Sequence, residues 1–159
     1  MRTNIELLAM HFREIMNRAY AEGKFIGISP FHLFPNECCD LTCDLLGQYL
    51  AEKGIETYQI NAAYKYDLQR RHVWLKTNDG VIIDITGDQL KGKIRYQGDI
   101  PEVYIGEENE LYKLFCRERN REENTNFTDP SKFTEFGGRP NARQKTLMKV
   151  YEKIWPYLD

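Results

Sequence analysis

The chain has 159 residues, of which 42% are hydrophobic, and its formal net charge is −2. This length suits one domain with a sizeable core, and the near-neutral charge excludes a general attraction to nucleic acid or anionic lipid. No stretch has the ~18 consecutive apolar residues of a membrane span, and the N-terminus lacks a secretory signal pattern. We therefore expect a single cytoplasmic domain over residues 1–159, without nucleic-acid or membrane partners and with four reduced cysteines.

The first predicted element is an amphipathic helix, in which apolar residues recur at helical spacing from Leu7 to Tyr20. Thr3 or Asn4 can cap its start, and Gly23 stops it. A mostly apolar connection follows and leads to a second helix.

This second helix is predicted from about Cys38 to Lys53, with Asn36 as its N-cap and Gly54 just past its end. Cys38 and Cys39 then lie in the first turn. Unpaired backbone N–H groups and the positive end of the helix dipole stabilise a thiolate there. A buried structural thiol is the alternative interpretation.

Two β-rich runs joined by a turn give the strongest local pattern. A strand is predicted over Ile55–Tyr64, followed by a polar interruption over Lys65–Arg71. The runs His72–Lys76 and Val81–Thr86 then flank the turn sequence Asn78–Gly80, which predicts a β-hairpin.

The register of this hairpin brings an imidazole and a carboxylate together. With residues 78–80 as the loop, Trp74 lies opposite Asp84, and His72 lies diagonally from Asp84 on the same face. A slip of one residue would put them on opposite faces.

Beyond the hairpin the sequence predicts an edge strand over 99–105, a helix over 107–119 and a long loop over 120–140. A last helix begins at Asn141 or Arg143. Four of its apolar residues are predicted to face inward: Leu147, Val150, Tyr151 and Ile154. Four basic residues are predicted to form a solvated face: Arg143, Lys145, Lys149 and Lys153.

The residue types of nucleophilic cysteine chemistry occur in these elements. Such chemistry needs a thiolate, a base that accepts its proton and a third group that orients the base. Cys39, His72 and Asp84 supply them in chain order. Cys38 remains an alternative nucleophile, and Asp88, past the end of the strand, an alternative acid.

With this order of elements the chain resembles the transglutaminase-like branch of the papain-like cysteine hydrolases. Three clusters within about residues 34–90 carry the resemblance: the cysteine helix ending in Gly54-Ile55, the strand His72-Val73-Trp74 and the strand Asp84-Ile85-Thr86. In this pattern the Gly-Ile pair trails the nucleophile by about four helical turns, which favours Cys39.

The resemblance implies an α+β fold in which the cysteine-bearing helix packs on a small antiparallel sheet. Additional N- and C-terminal helices are expected around this core, with a C-terminal extension over about 100–159. The implied activity is cysteine-dependent acyl transfer through a thioester, most simply hydrolysis of an amide or peptide bond in a protein or peptide substrate. No cofactor and no metal are expected. Transglutaminase- or deamidase-type modification of protein Gln or Asn is an alternative.

Further groups are expected around the reacting carbonyl. Trp74 is expected to bind substrate, because it lies two residues after His72 on the same strand face. The backbone N–H of Cys39 is a natural oxyanion donor, and Asn36, His32 or Trp74 can give a second one.

Two interpretations compete with an enzyme. The same fold can serve as a catalytically inactive interaction module. Alternatively, a metal site can be drawn from nearby thiols and imidazoles: Cys38, Cys39, Cys43 and His32 or His72.

Overall fold

The structure is a computed structural model that describes residues 2–121 and 127–158, with the backbone alone for residues 117–121. These residues form a mixed α+β fold with three α-helices and one five-stranded antiparallel sheet. The helices are α1 (Arg2–Ala21), α2 (Cys39–Glu52) and α3 (Ala142–Ile154). The strands are β1 (Tyr58–Tyr64), β2 (Asp67–Lys76), β3 (Ile82–Asp84), β4 (Tyr104–Gly106) and β5 (Phe115–Arg121).

The sheet has the strand order β4-β3-β2-β1-β5. The predicted hairpin and its register are confirmed, since Leu75 pairs with Ile83 and Lys76 with Ile82. Gly80 closes the turn with a φ of 92°, a left-handed conformation that glycine adopts without steric cost. The predicted edge strand is also present, although β4 covers only the end of the predicted range.

Alternation along the strands sends side chains to two buried layers. Val73 of β2 and Ile83 of β3 belong to an apolar cluster that includes buried residues of all three helices, on what we call the helix side of the sheet. Trp74 and Ile82 pack on the opposite side, mainly against residues that follow β3 in the chain. The sheet therefore lies between the helices and a smaller apolar layer.

The polar interruption predicted over Lys65–Arg71 is wrong, because β2 begins at Asp67. The first residues of β2 are exposed, and a strand end that projects beyond the core can be polar on both faces. The helix predicted over 107–119 is also wrong. A short 3₁₀ turn at Tyr112–Leu114 leads into β5, which pairs with β1 and satisfies the backbone of both strands.

The N-cap of α2 also differs from the prediction. Cys38 occupies the N-cap position, and Asn36 instead accepts a hydrogen bond from Lys93 at 3.1 Å. At the other end, Gly54 has a φ of 81° and follows the C-cap, as predicted. Helix α1 begins at Arg2, ahead of both residues expected to cap it.

The last helix is confirmed. Asn141 forms a capping box with Gln144, and all four residues predicted to face inward are buried. The loop predicted over 120–140 is confirmed only in part. Residues 120 and 121 belong to β5, residues 122–126 lie outside the described residues, and Pro130–Lys132 form a 3₁₀ turn. None of the described helices is long and apolar enough to cross a bilayer.

Candidate active site

The two adjacent cysteines at the start of α2 have different environments. Cys38 has 0% of its surface exposed, and burial raises the pKa of its thiol to about 12. Cys39 is the first residue of the helix and is partly exposed in a cleft. Because consecutive helical residues point about 100° apart, one position separates a core thiol from an accessible one. Only Cys39 of this pair can meet a substrate.

One helical turn later, Cys43 ties α2 to the sheet. Its thiol is buried and donates a hydrogen bond to the carbonyl of Val73 at 3.6 Å, and burial raises its pKa. β3 pairs with β2 only at Leu75 and Lys76, which leaves His72 beyond the paired part of β2. The side chain of Cys39 interacts with His72.

His72 and Asp84 form a buried pair on the side of the sheet that faces away from the helices. His72 Nε2 lies 2.8 Å from Asp84 Oδ2, and the two residues are 0% and 1% exposed. The same carboxylate accepts hydrogen bonds from the Tyr112 hydroxyl at 2.8 Å and from the Thr86 backbone N–H at 3.0 Å. Since an ionised carboxylate can only accept, the Nε2 atom of His72 carries a proton.

These contacts determine the charges of the pair. Burial alone would raise the pKa of Asp84, but His72 and the other donors hold it below its usual value. Burial alone would lower the pKa of His72, but Asp84 and then the Cys39 side chain raise it to about 10. The contact with Asp84 therefore favours the protonated form of His72.

A glutamine that the sequence pattern did not identify completes the surroundings of the imidazole. Gln89 lies in the 3₁₀ turn Gly87–Leu90, and its side-chain nitrogen is 3.1 Å from His72 Nδ1. Its amide donates to Nδ1 when the ring is neutral, and its carbonyl oxygen can accept from Nδ1 when the ring is protonated. Gln89 also lines the cleft.

Trp74 lies beneath this group and does not line the cleft. Its ring centroid is 5.7 Å from that of His72 and 5.0 Å from that of Tyr112, with which it makes an edge-to-face contact. The indole is buried on the side of the sheet opposite α2. Trp74 therefore packs against the imidazole. Direct substrate contact, which the sequence suggested, has no support in this placement.

The cleft that exposes Cys39 has a volume of about 380 Å³ and mostly polar walls. Arg70 and Arg71 of β2 line it, together with Gln89 and Lys93 from the chain after β3. The backbone N–H of Cys39, at the first helical position, has no partner within the helix and is available to an anion.

The alternative site residues are engaged elsewhere or lie apart. Asp88 accepts two hydrogen bonds from Arg13, each 2.9 Å long, and so forms an ion pair away from His72. His32 is exposed in a 3₁₀ turn. Within residues 2–121 and 127–158, no group of three or more His, Cys, Asp or Glu side chains is arranged to hold a metal ion.

The arrangement therefore brings Cys39, His72 and Asp84 together as the sequence predicted, and adds Gln89 and Tyr112. Tyr112 was missed because its segment was predicted to be helical, and no sequence pattern distinguished Gln89 from other surface glutamines. Compared with known proteins, this chain matches no protein-family model, no curated protein and no solved structure.

Proposed function

We propose that this protein is a papain-like, cysteine-dependent acyl-transfer enzyme that hydrolyses an amide or peptide bond. The observation that carries the proposal is a cleft-exposed cysteine at a helix start beside a buried His72–Asp84 pair. A buried ion pair of this kind is costly unless its groups are well hydrogen-bonded. Strongly perturbed pKa values cluster at functional sites, which supports the proposal.

The first half of the reaction forms a thioester. The Cys39 thiolate attacks the carbonyl carbon, and the developing oxyanion is bound by the Cys39 backbone N–H and the Gln89 amide. The His72 imidazolium gives its Nδ1 proton to the leaving nitrogen. The C–N bond then breaks, and the acyl group remains on sulfur.

The second half consumes one water molecule. Neutral His72 takes a proton from the water at Nδ1 while the water oxygen attacks the thioester carbonyl. The C–S bond breaks, which releases the acid and restores the thiolate–imidazolium pair. Asp84 keeps Nε2 protonated and the ring fixed throughout both steps.

The proposed setting is cytoplasmic, with a protein or peptide as substrate. All four cysteines are free thiols, and one of them, Cys116, is exposed. Free exposed thiols persist in reducing compartments. A polar cleft that is open to water suits hydrolysis, because water needs no dedicated acceptor site.

Thiol reactivity tests the proposed role of Cys39. Iodoacetamide at pH 6, followed by peptide mapping, should label Cys39 at least about tenfold faster than the exposed Cys116, with no reaction at buried Cys38. His72→Ala should slow labelling of Cys39 to the rate of Cys116. Asp84→Asn, a more conservative substitution, should also slow labelling of Cys39. Equal rates at Cys39 and Cys116 in the wild type would refute an activated thiol.

A further inference from the structure

We propose that the cleft beside Cys39 selects acyl donors with negative charge next to the reacting carbonyl, as in an acidic peptide segment. This inference rests on the proposed function and adds a substrate class to it. Arg70 and Lys93 are the residues that we assign to this selection.

Both cations are available to a ligand. Arg70 and Lys93 line the cleft from two separate parts of the chain, β2 and the segment after β3. The Lys93 ammonium donates to the neutral Asn36 side chain at 3.1 Å. In the part of the chain that the structure describes, neither Arg70 nor Lys93 has a carboxylate within ion-pair distance.

The cleft carboxylate on α2 is partly offset by a cation from α3. Asp40 follows Cys39 and lines the same cleft, but Arg143 of α3 lies 3.2 Å from its Oδ2 atom. The same guanidinium binds Asp44 through two hydrogen bonds. Because this single cation is shared with Asp44, it offsets only part of the negative charge of Asp40.

Glu37 is the remaining carboxylate that faces the two cations. It lies just before α2, is exposed and has a φ of 65°. Leaving aside Arg71, whose guanidinium contacts Asn61, the two cations without an ion-pair partner face Glu37 and the partly offset Asp40. The His72 imidazole beneath the cleft is paired with the Asp84 carboxylate, so we assign the attraction for an anionic group to Arg70 and Lys93.

The size of the cleft makes this charge effective. A compact cleft of about 380 Å³ is roughly 7 Å across, which is less than the ~10 Å Debye length at 0.1 M salt. Clefts with protein walls also focus the field of the charges that line them. We expect each cation to change the rate for an anionic reagent about twofold at low salt.

Two alkylating reagents with the same leaving group test the selection. Iodoacetate is anionic and iodoacetamide is neutral, and with both the thiolate displaces iodide to form a C–S bond. The measured quantity is the ratio of their second-order rates at Cys39, at fixed pH and 10 mM salt. His72 is the same in every variant, so the quantity that tests the proposal is the change in the ratio between variants.

Arg70→Gln and Lys93→Gln should each lower the ratio about twofold, and the double variant should lower it about fourfold. Glu37→Gln should raise it. Lys149→Gln, which removes an exposed charge from α3 outside the cleft, should leave it unchanged. All these differences should vanish at 1 M salt.

Protection from iodoacetamide then distinguishes a peptide from a small acid. A pentaglutamate peptide should slow labelling of Cys39, whereas pentaglutamine and glutarate at equal carboxylate concentration should not. Equal protection by glutarate would overturn the peptide assignment. An unchanged rate ratio in the double variant or in Glu37→Gln would overturn charge selection while leaving the reactive thiol intact. Failure of Cys39 to react faster than Cys116 would instead overturn the proposed function itself.

Discussion

The Asp84 carboxylate sets the charge of His72, and both groups are buried, so their pairing affects folding as well as chemistry. The pKa of His72 is raised from 6.5 to about 10 on folding. Its protonated form therefore adds stability that is complete below pH 6.5 and is lost as the pH rises through 10. The pKa of Asp84 is lowered from 3.8, so its stabilising effect is present above that pH and is lost as the pH falls further.

This linkage predicts the pH dependence of the Asp84→Asn variant. The amide keeps the shape but cannot pair with an imidazolium, so the variant should lose about 3 kcal/mol of unfolding free energy near pH 7. The loss relative to the wild type should shrink as the pH falls below about 4, and again as the pH rises from 6.5 to about 10, above which it should stay small. Thermal unfolding of both proteins from pH 3 to 11 measures it. If the difference in unfolding free energy between the two proteins does not vary with pH, His72 and Asp84 are not an ionised pair.

Residue-level prediction succeeded where strand periodicity fixed the geometry. His72 and Asp84 were found because side chains alternate strictly along a strand and a three-residue turn fixed the pairing. Cys39 was separated from Cys38 by a family pattern, and the burial of Cys38 agrees with that choice. Gln89 was missed because a glutamine in a turn has no period that reveals its neighbours.

Among the elements, α3 is more than a solvated helix, since Arg143 was wrongly expected to be exposed to solvent. Its guanidinium reaches the first turns of α2 and contacts Asp40 at 3.2 Å and the buried Asp44. Gln59 of β1 donates to the other oxygen of Asp44 at 2.5 Å. This network joins α3, α2 and the sheet directly behind Cys39.

We therefore predict that Arg143→Gln destabilises the protein by about 2–3 kcal/mol. The change removes the cation that offsets a buried carboxylate, and the partial exposure of Arg143 keeps the cost below that of a fully buried pair. Urea unfolding measures the loss.

Two comparisons control this measurement. Lys153→Gln, on the same helix and exposed, should change stability by less than about 0.5 kcal/mol. Asp44→Asn in the Arg143→Gln background should recover part of the loss, because it removes the uncompensated charge. If the double variant is less stable than Arg143→Gln alone, the charge of Asp44 is not the cause.

The prediction of whole elements failed where tertiary pairing overrode a local pattern. The apolar spacing around Leu111 and Phe115 fits a helix, but β1 offers an edge that β5 completes, and Phe115 is buried against Trp74. No local signal in a single sequence reveals such an edge. α3 was predicted well because its cap and apolar period agree.

At the scale of the whole molecule, the candidate site depends on chain well outside residues 34–90. Tyr112 binds Asp84, β5 covers the free edge of β1, and Arg143 holds the start of α2. The described part of the C-terminal extension therefore contributes contacts to the candidate site. A sequence comparison limited to the central elements does not reveal this dependence.

The central claim is that Cys39 carries out acyl transfer. The most direct measurement is mass spectrometry of a diverse peptide library incubated with the wild type, Cys39→Ser and Cys38→Ser. We predict new peptide termini with the wild type and with Cys38→Ser, enriched next to Glu and Asp, and none with Cys39→Ser, because a serine hydroxyl lacks the thiolate. Products that persist in Cys39→Ser, or a wild type that leaves the whole library unchanged, would contradict the account.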